Sequence, residues 1–106
     1  MRHPLRKQKF NAKPTEYGGW RYDSKKEAEY ARKLDLAKRA GHVLQWLRQV
    51  PFHLPGHRKY ICDFLVFFAD GTLSFIDVKG RDTPMSKLKR EQVAELYAPI
   101  EIEVVT

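Results

Sequence analysis

Apolar residues recur along this chain with two different periods. From Ser24 the spacing is helical: Tyr30, Ala31, Leu34 and Ala37 fall on one stripe and Gly41 follows its end. Ser24-Lys25-Lys26-Glu27 heads that stripe as a capping box, in which the serine accepts an unpaired helix N–H and the glutamate reaches back. Gly41 occupies the place where helices end in a left-handed residue. Residues 42–54 read as extended, with Val43, Trp46, Leu47, Val50, Phe52 and Leu54 as strand formers and Pro51 marking an edge or a bulge. After the Pro55-Gly56 turn, residues 59–68 form a strongly apolar strand. Ala69-Asp70-Gly71 is then a loop, and residues 72–79 are the returning strand. A second helix, over about residues 85–97, turns Leu88, Val93 and Leu96 inward and Lys87, Lys89 and Arg90 outward until Pro99 stops it. Residues 100–105 make a last short strand. The order is helix, three strands, helix, strand, which defines a mixed α/β domain of the α+β kind.

Residues 1–23 break this rhythm. They are rich in arginine and lysine, contain Pro4, Pro14, Gly18 and Gly19, and show no sustained period, so they read as a basic arm laid on a partner. Residues 24–106 read as the folded core, with Trp46, Tyr60, Phe64, Phe67, Phe68 and Phe75 supplying its interior. The whole chain has 106 residues, enough for one domain. Its formal net charge of +7 calls for a polyanionic partner, with nucleic acid ahead of an anionic membrane. No apolar run approaches the ~20 residues of a spanning helix, and the charged beginning is unlike a secretory signal. The single cysteine, Cys62, allows no intrachain disulfide, which suits a reducing cytoplasm, and its apolar neighbours mark it as a core residue. His53 and His57 are separated by Pro55-Gly56, which rules out a helical metal pair. Gly18-Gly19 and Gly56 form no phosphate-cradling loop.

Chemistry is concentrated in the central hairpin. Asp63 interrupts one of the two most apolar strands, and Asp77 and Lys79 close the other. Aspartate is a poor strand former and costs several kcal/mol to bury without a partner. A three-residue Ala69-Asp70-Gly71 loop would pair Phe68 with Thr72 and bring Asp63 opposite Asp77 on one face, with Cβ atoms ~5 Å apart. Lys79 follows on that face. A two-residue Asp70-Gly71 loop would instead split the aspartates between faces; the first register is preferred. Paired carboxylates repel unless one protonates or a cation bridges them, and Mg²⁺, a hard ion that takes carboxylate oxygens and keeps water, suits the place. Glu27 is turned toward the sheet, either as a further site acid or simply as the capping-box glutamate. Glu29, ~200° away, faces solvent and can pair with Lys33.

An acid in one strand followed by Asp-X-Lys at the end of the next resembles the PD-(D/E)XK nuclease superfamily, with Asp63 as the first acid and Asp77-Val78-Lys79 as the second acid, spacer and lysine. Cys62 stands where that motif often has proline. Residues 9–29, from Lys9-Phe10-Asn11 through Tyr17-Gly18-Gly19-Trp20 to Glu27-Ala28-Glu29, resemble the opening of small phage-type, Holliday-junction-resolvase-like endonucleases of the superfamily. Gln49-Val50-Pro51 is similar to a segment that precedes their hairpin. The resemblance implies a restriction-endonuclease-like α-β-β-β-α-β core and hydrolysis of DNA phosphodiester bonds, with branched DNA as the expected substrate. It also implies Mg²⁺ as cofactor, with Mn²⁺ able to substitute, a homodimer, and a bacterial or phage-infected cytoplasm. Asp63, Asp77 and Glu27 would form the metal shell with the Val78 carbonyl, and Lys79 would assist the attacking water. The alternative is a basic DNA-binding or assembly module that never cuts. Lys25, Lys26, Arg81, Lys87, Lys89 and Arg90 are candidate phosphate contacts or an ordinary solvated surface. Gln49 either supports the site or is an exposed polar residue. Trp20 and Tyr22 either stack on unpaired bases or anchor the arm.

Overall fold

In the computed structural model, which describes residues 13–106, the elements are β1 (Thr15–Tyr17), β2 (Trp20–Tyr22), α1 (Lys25–Arg39), β3 (Val43–Leu54), β4 (Arg58–Phe68), β5 (Leu73–Val78), α2 (Pro84–Leu96) and β6 (Ile102–Val105). The fold is mixed α+β, as the periodicity predicts. A four-stranded sheet has the order β3-β4-β5-β6, with β3, β4 and β5 antiparallel and β6 parallel to β5. Parallel neighbours cannot be joined by a tight turn, and α2 makes the crossover.

Local chemistry sets the element ends. Ser24 Oγ accepts the Glu27 N–H at 3.1 Å. At the other end of α1, the Gly41 and His42 N–H groups bond back to Lys38 and Ala37, with Gly41 at φ +85. This is the paired closure that a left-handed glycine permits. Between β4 and β5, Phe68 N–H donates to Thr72 and Gly71 N–H to Phe68, with Gly71 at φ +91. The loop is therefore the expected three residues, and Phe64 pairs with Ile76, Leu65 with Phe75 and Phe67 with Leu73.

The sheet separates two apolar clusters. On the α1 side, Ala28, Ala31 and Leu34 pack with Tyr22, Val43, Phe64, Val66, Ile76 and Val78. On the α2 side, Val93 packs with Phe52, Leu54, Tyr60, Cys62 and Phe75. Trp46, Phe67 and Phe68 are only half-buried.

Three expectations need correction. Residues 15–22, assigned to the arm, form a β-hairpin packed on α1, and Tyr22 is 1% exposed in the core. Gly18 and Gly19, both at positive φ, make the two-residue turn that hairpins favour. Basic composition masked this Gly-Gly signal between aromatic strand formers. In α2, Leu88 and Leu96 face outward, each 52% exposed. The helix docks instead through Val93 and its cap Tyr97, whose ring meets Phe52 at 5.3 Å. Glu29 pairs with Arg32 at 2.6 Å, one turn away, rather than with Lys33. Residues 1–12 of the basic arm, including Lys9 to Ala12 of the resemblance, lie outside the described residues.

Candidate active site

The two aspartates meet where regular pairing between β4 and β5 stops. The ladder runs to Phe64–Ile76 and, continued one step, sets Asp63 opposite Asp77. There side chains take over from the backbone: Asp77 Oδ1 accepts the Asp63 N–H at 2.9 Å, and Asp63 Oδ2 accepts the Val78 N–H at 2.9 Å. Each carboxylate is thus held by an N–H of the opposite strand. Both acids are buried, Asp63 at 6% and Asp77 at 0% exposure. Backbone donors stabilise the charged form of a carboxylate, which offsets part of the cost of burial. Lys79 Nζ stands 3.7 Å from Asp77 Oδ2 and 6.0 Å from the centre of the Tyr60 ring, and its side chain is largely buried.

The neighbouring strand is irregular at the same level. Arg48 pairs with Phe64 and Val50 with Cys62, so Gln49 lies across from Asp63, and Gln49 has φ +58. An L-residue other than Gly, Asn or Asp rarely adopts that conformation. The inward face of both strands changes here. Trp46, Phe64 and Val66 belong to the α1-side cluster, whereas Val50, Phe52, Tyr60 and Cys62 belong to the α2-side cluster, although all are even-numbered. An extended strand with period two would keep them on one face. Cys62 beside Asp63 donates weakly to Phe64 and Ile76 carbonyls, and burial pushes its thiol up to about 11, so it is no nucleophile at neutral pH.

The remaining candidates are more dispersed. Glu27 is 1% exposed on the first turn of α1, a helix that packs against β3 and β5. Among the described residues no three His, Cys, Asp or Glu side chains are placed to hold a metal ion, so the structure gathers Asp63 and Asp77 but not a three-acid set with Glu27. Val78 enters through its N–H to Asp63, and Gln49 is exposed. Mg²⁺ is commonly held by one or two carboxylates, with water and substrate phosphate completing its shell, so the Asp63–Asp77 pair is the part that fits.

Of the basic residues, Lys25, Lys26, Arg81 and Lys87 are exposed and Lys89 is half-buried. Lys26 Nζ also reaches the Thr106 carbonyl at 3.3 Å. Arg90 is half-buried and clamps Asp82 with both guanidinium nitrogens, holding that carboxyl below its usual range. Its charge is spent within the protein. Sequence reading passed over Arg48, whose guanidinium lies 5.0 Å from the Trp20 ring centre and 4.7 Å from that of Tyr22. Its partners are more than twenty residues away, so nothing local flags it.

Fold and site define a class: a small α+β domain in which two buried aspartates and a lysine gather where adjacent strands part. The chain belongs to the family described as protein of unknown function (DUF1064), whose model matches residues 7–106. No curated protein and no solved structure matches it. No helix among the described residues is long and apolar enough to cross a membrane.

Proposed function

We propose that this protein is a divalent-metal-dependent DNA endonuclease of the PD-(D/E)XK type, with Asp63, Asp77 and Lys79 as its catalytic centre. One observation carries the reading: two aspartates with no apolar role are buried opposite one another at the splayed end of a hairpin, with an ammonium group 3.7 Å from the second. A structural role is better filled by apolar residues of similar volume, because burying two like charges is costly. Asp63 and Asp77 would hold Mg²⁺ or Mn²⁺, which supplies Lewis acidity and lowers the pKa of bound water. The N–H groups of Asp63 and Val78 fix the directions of the two carboxylates before substrate arrives. Lys79 stabilises negative charge developing on the phosphate and orients the attacking water. The net charge of +7 draws the polyanion toward these acids, which alone would repel it.

The test is incubation of supercoiled plasmid and a synthetic four-way junction with the protein, with Mg²⁺, with Mn²⁺ and with EDTA. Nicking or linearisation that needs the metal and disappears in Asp77→Asn is expected. Preferential resolution of the junction would identify branched DNA as the substrate. DNA retardation without cleavage under every metal condition refutes the enzyme and leaves a binding module.

A further inference from the structure

A groove along β3 offers a second kind of nucleic-acid contact. Strand β3 is an edge of the four-stranded sheet, and the open groove beside it is lined by Trp20, Lys38, Gln45, Trp46, Arg48 and Gln49, among others. Two features mark it as more than a crease. Trp20, on the β1–β2 hairpin, is 57% exposed although its hairpin neighbour Tyr22 is buried. One side of its ring is backed by the Arg48 guanidinium, which is itself held by a 3.0 Å bond to the Arg21 carbonyl. The second indole is also fixed in place: Trp46 Nε1 donates to Asp35 Oδ1 at 2.9 Å, and Tyr17 Oη donates to Asp35 Oδ2 at 2.6 Å. Asp35, the one acid on the groove wall, accepts from two neutral donors, and the two cations Lys38 and Arg48 outnumber it in charge.

We propose that this groove binds unpaired nucleotides of single-stranded DNA, with a base stacked on the exposed face of Trp20 and phosphates drawn by Lys38 and Arg48. An aromatic platform interleaved with cations is what strand binding without base specificity requires, since every base has a π-face and every nucleotide a charge. A duplex keeps its bases stacked on one another and cannot offer a face to Trp20. Gln49 on the groove wall lies across from Asp63 in the strand register, although neither aspartate lines the groove. Stacking on Trp20 needs unpaired bases, so the preferred substrate is DNA with a single-stranded segment such as a flap, gap or open branch. The inference rests on the reading of DNA as the partner.

The chain contains two tryptophans and both line this groove, so its tryptophan emission reports on the site directly. Short oligo(dT) is titrated into the wild-type protein in EDTA, alongside a blunt duplex and oligo(rU). Saturable quenching by oligo(dT), with little from the duplex, is expected. Trp20→Ala should weaken oligo(dT) binding about tenfold with an unchanged circular dichroism spectrum. Lys38→Glu, on an exposed helix position, should weaken it and flatten its salt dependence. Emission unmoved by oligo(dT), equal quenching by the duplex, tighter binding of oligo(rU), or wild-type affinity in Trp20→Ala each overturns the proposal. A protein that cuts plasmid while its tryptophans ignore oligo(dT) loses this groove and keeps the nuclease. One that is quenched as described yet cuts nothing loses the nuclease and keeps the groove.

Discussion

Replacing Asp77 separates the chemical role of the acidic pair from its structural one. Asp77 Oδ1 accepts the buried Asp63 N–H, while Oδ2 faces Lys79 at 3.7 Å. At an effective dielectric of ~20, that separation gives a gross attraction of about 4 kcal/mol. Desolvation of the buried carboxylate and repulsion from Asp63 oppose it. Asp77→Asn keeps the carbonyl oxygen that accepts from Asp63 and removes the charge with both its attraction and its repulsion. The offset leaves stability within about 1 kcal/mol of the parent. Asp77→Ala strands the Asp63 N–H and costs about 1–3 kcal/mol, or roughly 5–20 °C in Tm for a domain of this size. Thermal unfolding with and without Mg²⁺ reads the other half. If the proposed site holds metal, free metal at about ten times its Kd should stabilise the parent by about 1.4 kcal/mol, several degrees, and this increment should vanish in Asp77→Asn. Cleavage falls by about a thousandfold or more, equivalent to about 4 kcal/mol of transition-state stabilisation. Undiminished cleavage by the asparagine variant, or an intact Mg²⁺ increment in it, would refute the assignment. So would an asparagine variant as unstable as the alanine one, because the retained acceptor would then count for nothing.

Two further outcomes follow from the same neighbourhood. Gln49 at φ +58 carries backbone strain that glycine lacks, so Gln49→Gly should be neutral or up to about 1 kcal/mol more stable in urea unfolding, whereas β-branched Gln49→Val should lose about 2 kcal/mol; the reverse order contradicts the strained position. Burial raises the Cys62 thiol from 9.0 to about 11 in the folded chain, so the unfolded state loses its proton first as pH rises. Stability should therefore decline between those two values, by about 2–3 kcal/mol, and a Cys62→Ala variant should lack that alkaline limb in pH-dependent thermal unfolding.

Much of this arrangement was legible because short-range rules and burial agreed. A loop of Ala69-Asp70-Gly71 predicted the β4–β5 register and with it the meeting of Asp63 and Asp77. Capping at Ser24 and the glycine beyond α1 bounded the first helix to within a residue or two. Failures came where long-range contacts decided. Leu88 and Leu96 look like core residues, but α2 docks through Val93 and Tyr97 because the ring of Phe52 on β3 awaits Tyr97. The β1–β2 hairpin lay hidden in a basic, proline-containing stretch whose composition outweighed its Gly-Gly turn. Nothing in glutamine's own preferences announces a left-handed residue at Gln49, and Arg48 gains its aromatic partners only through tertiary structure.

These departures are not scattered. Gln49 on β3, Asp63 on β4 and Asp77 on β5 lie along one line across the sheet, and there a strained residue, two buried acids and a change of inward face coincide. Valine or isoleucine at those three places would extend the ladder, remove the desolvation cost and keep one apolar face throughout. A sequence shaped for stability alone has no reason to collect three unfavourable choices on one cross-strand row. Local violations of this kind are expected where chemistry constrains the residues, and irregular strands near active sites re-aim side chains in this manner. On the same row Asp63 Oδ2 accepts from the Val78 N–H, which ties its carboxylate to the strand that carries Asp77 and Lys79. On the proposed reading the site and the irregular row are one feature, and regularising β3 at Gln49 should disturb the acids without touching either of them.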